Sequence, residues 1–197
     1  TYQYLDKKFS IKLYEQCFSQ TNPFICDSML SWVIDNIQSF ENDLMELHCG
    51  LGTFTIPFSR YFNKVLATEN SRPSIQALHE NVKLNNIENV YTGRLSGKET
   101  LEAFKGVRIF RRLKDIDLEQ FEIDSIFLDP PREGLDSFTL ENIIGIKNII
   151  YISCSFDSFK RDIQALKATH DILKLAMFDQ FPYTEHIESG AILRKKY

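Results

Sequence analysis

Seven short apolar runs, at residues 43–48, 64–69, 89–93, 123–129, 147–154, 172–178 and 186–194, recur along this chain between segments of helical periodicity. Alternating strands and helices build a largely parallel sheet covered on both faces, and strands buried on both faces read as near-continuous hydrophobic stretches. Asn148-Ile149-Ile150-Tyr151-Ile152-Ser153 is such a stretch. The helical patterns at 29–38, 53–61, 73–85, 137–144 and 156–168 supply the covering layers, with Asp27, Ser71 and Ser155 as polar caps. The end of the chain breaks the alternation. Asp179-Gln180-Phe181-Pro182-Tyr183-Thr184 joins the last two runs with no room for a crossover helix, and parallel neighbours need a dozen or more connecting residues. The last strand is therefore expected to be antiparallel. The fold predicted is α/β: a doubly wound, Rossmann-like, seven-stranded, mostly parallel sheet with one antiparallel strand near its edge.

At 197 residues, 43% hydrophobic, with 16 Phe and 8 Tyr, the chain fits one domain with a packed core. Residues 1–40 read as a lead-in and helix, and residues 41–197 as the sheet core. No apolar stretch is long enough to span a bilayer, and Thr1-Tyr2-Gln3-Tyr4-Leu5-Asp6-Lys7-Lys8 lacks the layout of a signal peptide. The four cysteines, Cys17, Cys26, Cys49 and Cys154, have neither CxxC spacing nor clustered histidines. No metal site or disulfide framework is expected, and a reducing cytoplasm is the natural setting. A net charge of −4 argues against a wholly basic surface. Local basic runs remain at 105–114 and at Arg194-Lys195-Lys196, both candidate phosphate contacts.

Three strand ends carry functional residue types. The first, Glu46-Leu47-His48-Cys49-Gly50-Leu51-Gly52, has glycines at 50 and 52, which let the backbone turn tightly and approach a ligand. The third glycine of a dinucleotide fingerprint is absent, as it can be where there is no pyrophosphate to bind. Glu69 ends the next strand, where an acidic side chain accepts hydrogen bonds from two ribose hydroxyls. A nucleoside without phosphate, such as S-adenosylmethionine, suits this pattern, and the reversed last strand points to the methyltransferase variant of the fold. His48 reads equally as a packed residue or a ligand contact.

Asp129-Pro130-Pro131 forms a stiff turn presenting a carboxylate, followed by Arg132 rather than the aromatic residue usual in amino-group methyltransferases. Arginine suits a phosphate or a developing oxyanion. Cys154 closes its strand where the chain turns. C5 of uracil is a poor nucleophile until another nucleophile adds at C6, and a thiolate can add and later leave. A base must then remove the C5 proton. Glu188 is the candidate, with His186 as competitor. Cys17, Cys26, Cys49 and Trp32 read as packing residues, and Tyr183 as core or as a stacking surface for a flipped base.

These segments, together with Phe18-Ser19-Gln20-Thr21-Asn22, Ala67-Thr68-Glu69 and Phe127-Leu128-Asp129-Pro130-Pro131-Arg132-Glu133-Gly134-Leu135, resemble the RNA uracil-C5 methyltransferase family over nearly the whole chain, and most closely its tRNA (uracil-5-)-methyltransferase branch. The resemblance implies a class I methyltransferase fold with S-adenosylmethionine contacts at Gln20, His48, Thr53, Glu69 and Asp129, beside Gly50 and Gly52. It also implies Cys154 as nucleophile and Glu188 as general base. His48 stands where Tyr is usual, Thr53 where Asn is usual, and Ser155 replaces the Asn usual after the nucleophile. The implied partner is RNA, the T-arm of tRNA, whose T-loop uridine becomes ribothymidine, with the protein acting as a monomer. The family's N-terminal RNA-binding region is expected to lie outside this chain. Ribosomal-RNA methylation, amino-group methylation and a non-catalytic RNA-binding or folding module are the alternatives.

Overall fold

The computed structural model describes residues 2–4, by their backbone, and residues 9–197. Thr1 and residues 5–8, part of the opening read above for a leader, lie outside the described residues. Strands β3 (Asp43–Leu47), β4 (Val65–Thr68), β5 (Val90–Gly93), β6 (Ile123–Leu128), β7 (Asn148–Ser153), β8 (His170–Phe178) and β9 (Glu188–Lys195) form one sheet in the order β5-β4-β3-β6-β7-β9-β8. The expected seven strands are present. Strands β3 to β7 pair in parallel, and β9 is antiparallel to both β7 and β8. A short antiparallel pair, β1 (Tyr2–Tyr4) with β2 (Phe9–Ile11), precedes the sheet and was not anticipated.

Side chains alternate across the sheet. Leu44, Phe127, Ile150, Ile152 and Ile192 pack under α1 (Pro23–Ile37), α2 (Thr55–Phe58) and α3 (Arg72–Leu84). Met45, Leu47, Leu128, Ile149, Tyr151 and Leu193 pack on the other face, with Leu101 of α4 (Gly97–Phe104), Ile143 of α5 (Ser137–Ile143) and Phe159 of α6 (Phe156–Leu166). Among the described residues no helix is long and apolar enough to cross a membrane.

Three helices differ from the pattern reading. Helix α1 starts at Pro23 and is capped by Asn22, not Asp27; the Asn22 side chain accepts from the Phe24 and Ile25 N–H groups. Its first turn exposes Phe24, and its buried face begins at Cys26 and continues through Met29 and Leu30. Helix α2 is a single turn rather than the segment 53–61, since Pro57 lacks an N–H and the chain leaves through tight turns from Arg60 to Pro57 and Tyr61 to Phe58. Helix α4 was not anticipated, although Ser96 and Glu99 form a capping box. Ser71 and Ser155 cap α3 and α6 as expected.

Candidate active site

The chain runs β3, β4, β5 toward one edge and then crosses back to place β6 beside β3. Strand order reverses there, and ligands of open α/β sheets bind outside the carboxyl ends of strands at such a point. A cavity of about 650 Å³ opens at this position, lined by Gln20, His48, Gly50, Glu69, Asp129, Arg132, Cys154 and Glu188 among others. A second, much smaller space of about 30 Å³ lies beside it, lined by Glu46, Thr53 and again Gln20, His48, Gly50 and Asp129.

Each loop has a local reason for its shape. His48 leaves β3 at φ 61, Gly50 follows at φ 56 and Gly52 at φ 96. A Cβ on Gly50 would meet nothing within 4 Å, so its bare backbone faces open space. Gly52 serves the tight turn expected of it. A Cβ there would lie 2.5 Å from Leu78 Cδ1, so it lets the turn press against α3. The Glu69 carboxylate ties two loops together, accepting from Gly50 N–H (3.2 Å) and Ser71 N–H (2.7 Å). Each of its oxygens keeps a lone pair for a further donor. Buried Gln20 accepts from Gln180 Nε2 (2.9 Å).

Cys154 and Glu188 meet through strand register. Ser153 of β7 is opposite Ser189 of β9, so the next antiparallel position sets Cys154 opposite Glu188. Glu188 is only 3% exposed, its Oε2 has no hydrogen-bond partner, and burial pushes its carboxyl up to about 7. Burial and the Glu188 charge push Asp129 up to about 8. Burial, then Glu188 and Asp129, raise the Cys154 thiol, while its own backbone N–H and then Arg132 oppose them. His48 is lowered by burial, so its imidazole is neutral at pH 7. Three acidic groups and one thiol around a cationic neighbour form a site that can add a nucleophile and take up a proton.

A match to the tRNA (uracil-5-)-methyltransferase family extends over residues 1–196. The chain belongs to this family. It is 48% identical over 190 residues to a tRNA/tmRNA (uracil-C(5))-methyltransferase of Nitratiruptor sp., covering 96% of this chain and 53% of that protein. It is 46% identical over 189 residues to one from Acinetobacter baylyi, covering 95% and 52%. The chain thus spans about half the length of the curated relatives it matches. The Pyrococcus abyssi tRNA (uracil-54, C5)-methyltransferase, solved in complex with S-adenosyl-L-homocysteine, superposes with a TM-score of 0.74 at 24% identity over 94% of this chain and 42% of that one. That likeness establishes the class I methyltransferase fold.

For this family member the structure sorts the remaining expectations. His186 is exposed, 3.1 Å from Arg132 Nη2, and does not line the cavity. Tyr183 is fully exposed at φ 66, neither core nor cavity wall, whereas Phe181 does line the cavity. Cys26 and Cys49 are buried, Cys17 is half-buried, and Trp32 packs edge-on against Phe178. Arg194 lies over Phe40 and donates to Asn148 at the end of β9 away from Glu188. Six residues at about 3.3 Å each put it roughly 20 Å from the cavity end of that strand. In the other basic run Arg112 is held by Glu99 and the Arg94 carbonyl. Glu46, which lines the smaller space, was not singled out. An ionisable side chain within Leu44-Met45-Glu46-Leu47, in a strand buried on both faces, was the available signal.

Proposed function

We propose that this domain transfers a methyl group from S-adenosylmethionine to C5 of a uridine in RNA, the T-loop uridine of tRNA, through a covalent adduct of Cys154 at C6. The observation that carries the reading is that Cys154, directly after β7, and Glu188, the first residue of β9, stand at the paired ends of adjacent strands on the wall that also holds Glu69 and Asp129.

The residues present fit the cofactor. Gly50 leaves open backbone beside Glu69, whose carboxylate has acceptor capacity for ribose hydroxyls, and the cavity is within the range of nucleoside-sized sites. Gln20, His48 and Thr53 offer further hydrogen-bonding groups at its margin. When bound, S-adenosylmethionine supplies an electrophilic methyl on a sulfonium.

The Cys154 thiolate adds to C6 of the flipped base, and the C5–C6 π electrons move toward C5 and the O4 carbonyl. Arg132, at the cavity mouth, stabilises the negative charge on that oxygen and favours the thiolate. C5 takes the methyl group. Glu188, ionised, then removes the C5 proton; the C–H electrons restore the C5–C6 double bond and expel the thiolate. Its raised carboxyl suits this step, because a base near pH 7 both exists in ionised form and holds the proton it takes.

The test is denaturing mass spectrometry after incubation with S-adenosylmethionine and a T-arm RNA carrying 5-fluorouridine at the target, with Cys154→Ala and a full-length relative in parallel. Fluorine at C5 does not leave as a cation, so an added nucleophile stays trapped. A methylated RNA adduct on the wild type and none on Cys154→Ala is expected. An equal adduct on Cys154→Ala, methylation on an exocyclic nitrogen, or no adduct where the relative forms one would overturn the reading.

A further inference from the structure

The two arms that bear Arg132 and Cys154 are joined by a buried polar cluster behind the cavity. The first is the loop after β6, from Asp129 to Leu135. The second is the turn from β7 into α6, where Ser155 caps the helix directly after Cys154. Asp162, on the second turn of α6, is 0% exposed and meets both. Its Oδ2 accepts from Leu135 N–H (2.8 Å) on the loop and from Tyr151 O–H (2.7 Å) on β7, three residues before the thiol. Its Oδ1 accepts from Arg161 Nε (2.8 Å). Arg161 Nη2 in turn donates to the carbonyls of Glu133 (2.9 Å) and Leu135 (3.0 Å). These two carbonyls flank Gly134, which stands at φ 76. A Cβ there would lie 2.6 Å from Asp162 Oδ2, 2.7 Å from Arg161 Nη2 and 2.8 Å from Ser158 Cβ. Ser158, Arg161 and Asp162 share one helix face at i, i+3 and i+4, so that face is moulded to the loop.

We propose that Arg161 and Asp162 are positioning residues that clamp the loop bearing Asp129 and Arg132 against the turn bearing Cys154, and so set the guanidinium against the thiol. The inference rests on the reaction proposed above, to which it adds residues that touch neither substrate nor cofactor. The geometry is specific to position. Loop and helix could pack through Leu135 and Phe159 alone, both already in the core. The polar contacts instead fix the backbone on both sides of Gly134, two residues beyond Arg132. The groups facing Cys154 are Glu188 from β9 and Asp129 and Arg132 from this loop, and of these only Arg132 favours the thiolate. A loop freed from the helix therefore moves both of its charged groups relative to the thiol, Asp129 as well as Arg132, and a misplacement of about 1 Å costs on the order of a hundredfold in rate.

The test uses Arg161→Ala, Arg161→Lys and Asp162→Asn. The Arg161 side chain is 55% exposed, so its variants are the ones expected to stay folded. Two readouts separate positioning from folding. One is the pH profile of Cys154 alkylation by iodoacetamide, read on its own peptide. The other is the rate of adduct formation with the 5-fluorouridine RNA at saturating S-adenosylmethionine. Positioning predicts a profile displaced from that of the wild type in Arg161→Ala and Asp162→Asn, because the loop that carries both Asp129 and Arg132 shifts relative to the thiol. It also predicts adduct formation slowed by about tenfold or more, cofactor affinity within about twofold, and partial recovery in Arg161→Lys. A lowered melting temperature with an unchanged alkylation profile and unchanged adduct rate would overturn it and leave a structural anchor only. If the wild type forms no adduct, the proposed reaction has failed, and the alkylation profile alone decides the clamp.

Discussion

Replacing Glu46 by Gln should make the protein more stable in alkaline solution and leave it little changed in acid. Glu46 is 1% exposed, its Oε2 has no hydrogen-bond partner, and burial pushes its carboxyl from 4.5 to about 8, with the charge of Asp129 adding to the shift. The nearby Thr55 hydroxyl offsets part of this, although it makes no hydrogen bond of normal length. A raised folded-state value means that the native protein keeps a proton the unfolded chain has already released. Stability from this group is therefore full below about pH 4.5, falls by about 1.4 kcal/mol per pH unit above it, and is gone beyond about pH 8, a span of at most about 5 kcal/mol. Glutamine keeps the shape and cannot ionise, at the cost of about 1 kcal/mol for one more unsatisfied buried N–H. Near pH 5 the variant should lie within about 1 kcal/mol of wild type, and by pH 8.5 it should lead by about 2–4 kcal/mol. Asp129 and Glu188 titrate in both proteins and cancel in the comparison to first order. Urea unfolding across this pH range, with unchanged m-values, measures the difference. An advantage that failed to grow with pH would show that Glu46 is ionised in the folded protein, and the reasoning would be wrong.

Turnover should rise with pH through about 7 as Glu188 ionises, and Glu188→Gln should lose about 10²–10⁴ in rate while accumulating a methylated Cys154 adduct on ordinary uridine RNA; rate profiles and denaturing gels check both, and no accumulation would remove Glu188 as the base. Gly52→Ala should destabilise by about 2–4 kcal/mol through its φ of 96 and its collision with Leu78, whereas Gly50→Ala, with open space around it, should cost about 1–2 kcal/mol and weaken cofactor binding instead. Denaturant melts and calorimetric titration separate the two glycines. Asn22→Ala should cost about 1 kcal/mol by uncapping α1, with unfolding midpoints as the check.

What the sequence disclosed followed the strength of local signals. The buried run from Asn148 to Ser153 and the short connection after Phe178 gave the sheet and its reversed strand, because burial on both faces and loop length act through few residues. Helix α4 escaped because Gly97 and Lys98 open it and its apolar face is short, although Ser96 and Glu99 were legible as a capping box. The start of α1 was hidden by an exposed Phe24. Most of the residues now lining the cavity were readable as strand-end chemistry. Glu46 was not, since its role depends on a small space bounded by Thr53 and Asp129 that no linear pattern contains. The bonds from Asp162 to Leu135 and Tyr151 are of the same kind, spanning 27 and 11 residues.

The reversed strand links fold to chemistry. The parallel strands β4, β6 and β7 end at the cavity edge, which is how Glu69, Asp129 and Cys154 arrive there from three different strands. A parallel β9 would have put Glu188 at the far edge, roughly 20 Å away. Running antiparallel, β9 brings its first residue to that edge, opposite the thiol. Register then becomes critical, because a slip of one residue would turn Glu188 to the other face of the sheet. Gly190 guards against the slip. A Cβ there would sit 2.9 Å from Trp32 Cζ3, so the bare backbone at this position makes room for the indole of α1, which also meets Phe178 of β8 edge-on at 5.6 Å. The indole thus packs β9 against both its helix and its neighbouring strand, and the carboxyl two residues before Gly190 is held at the cavity edge, as the proposed proton abstraction requires.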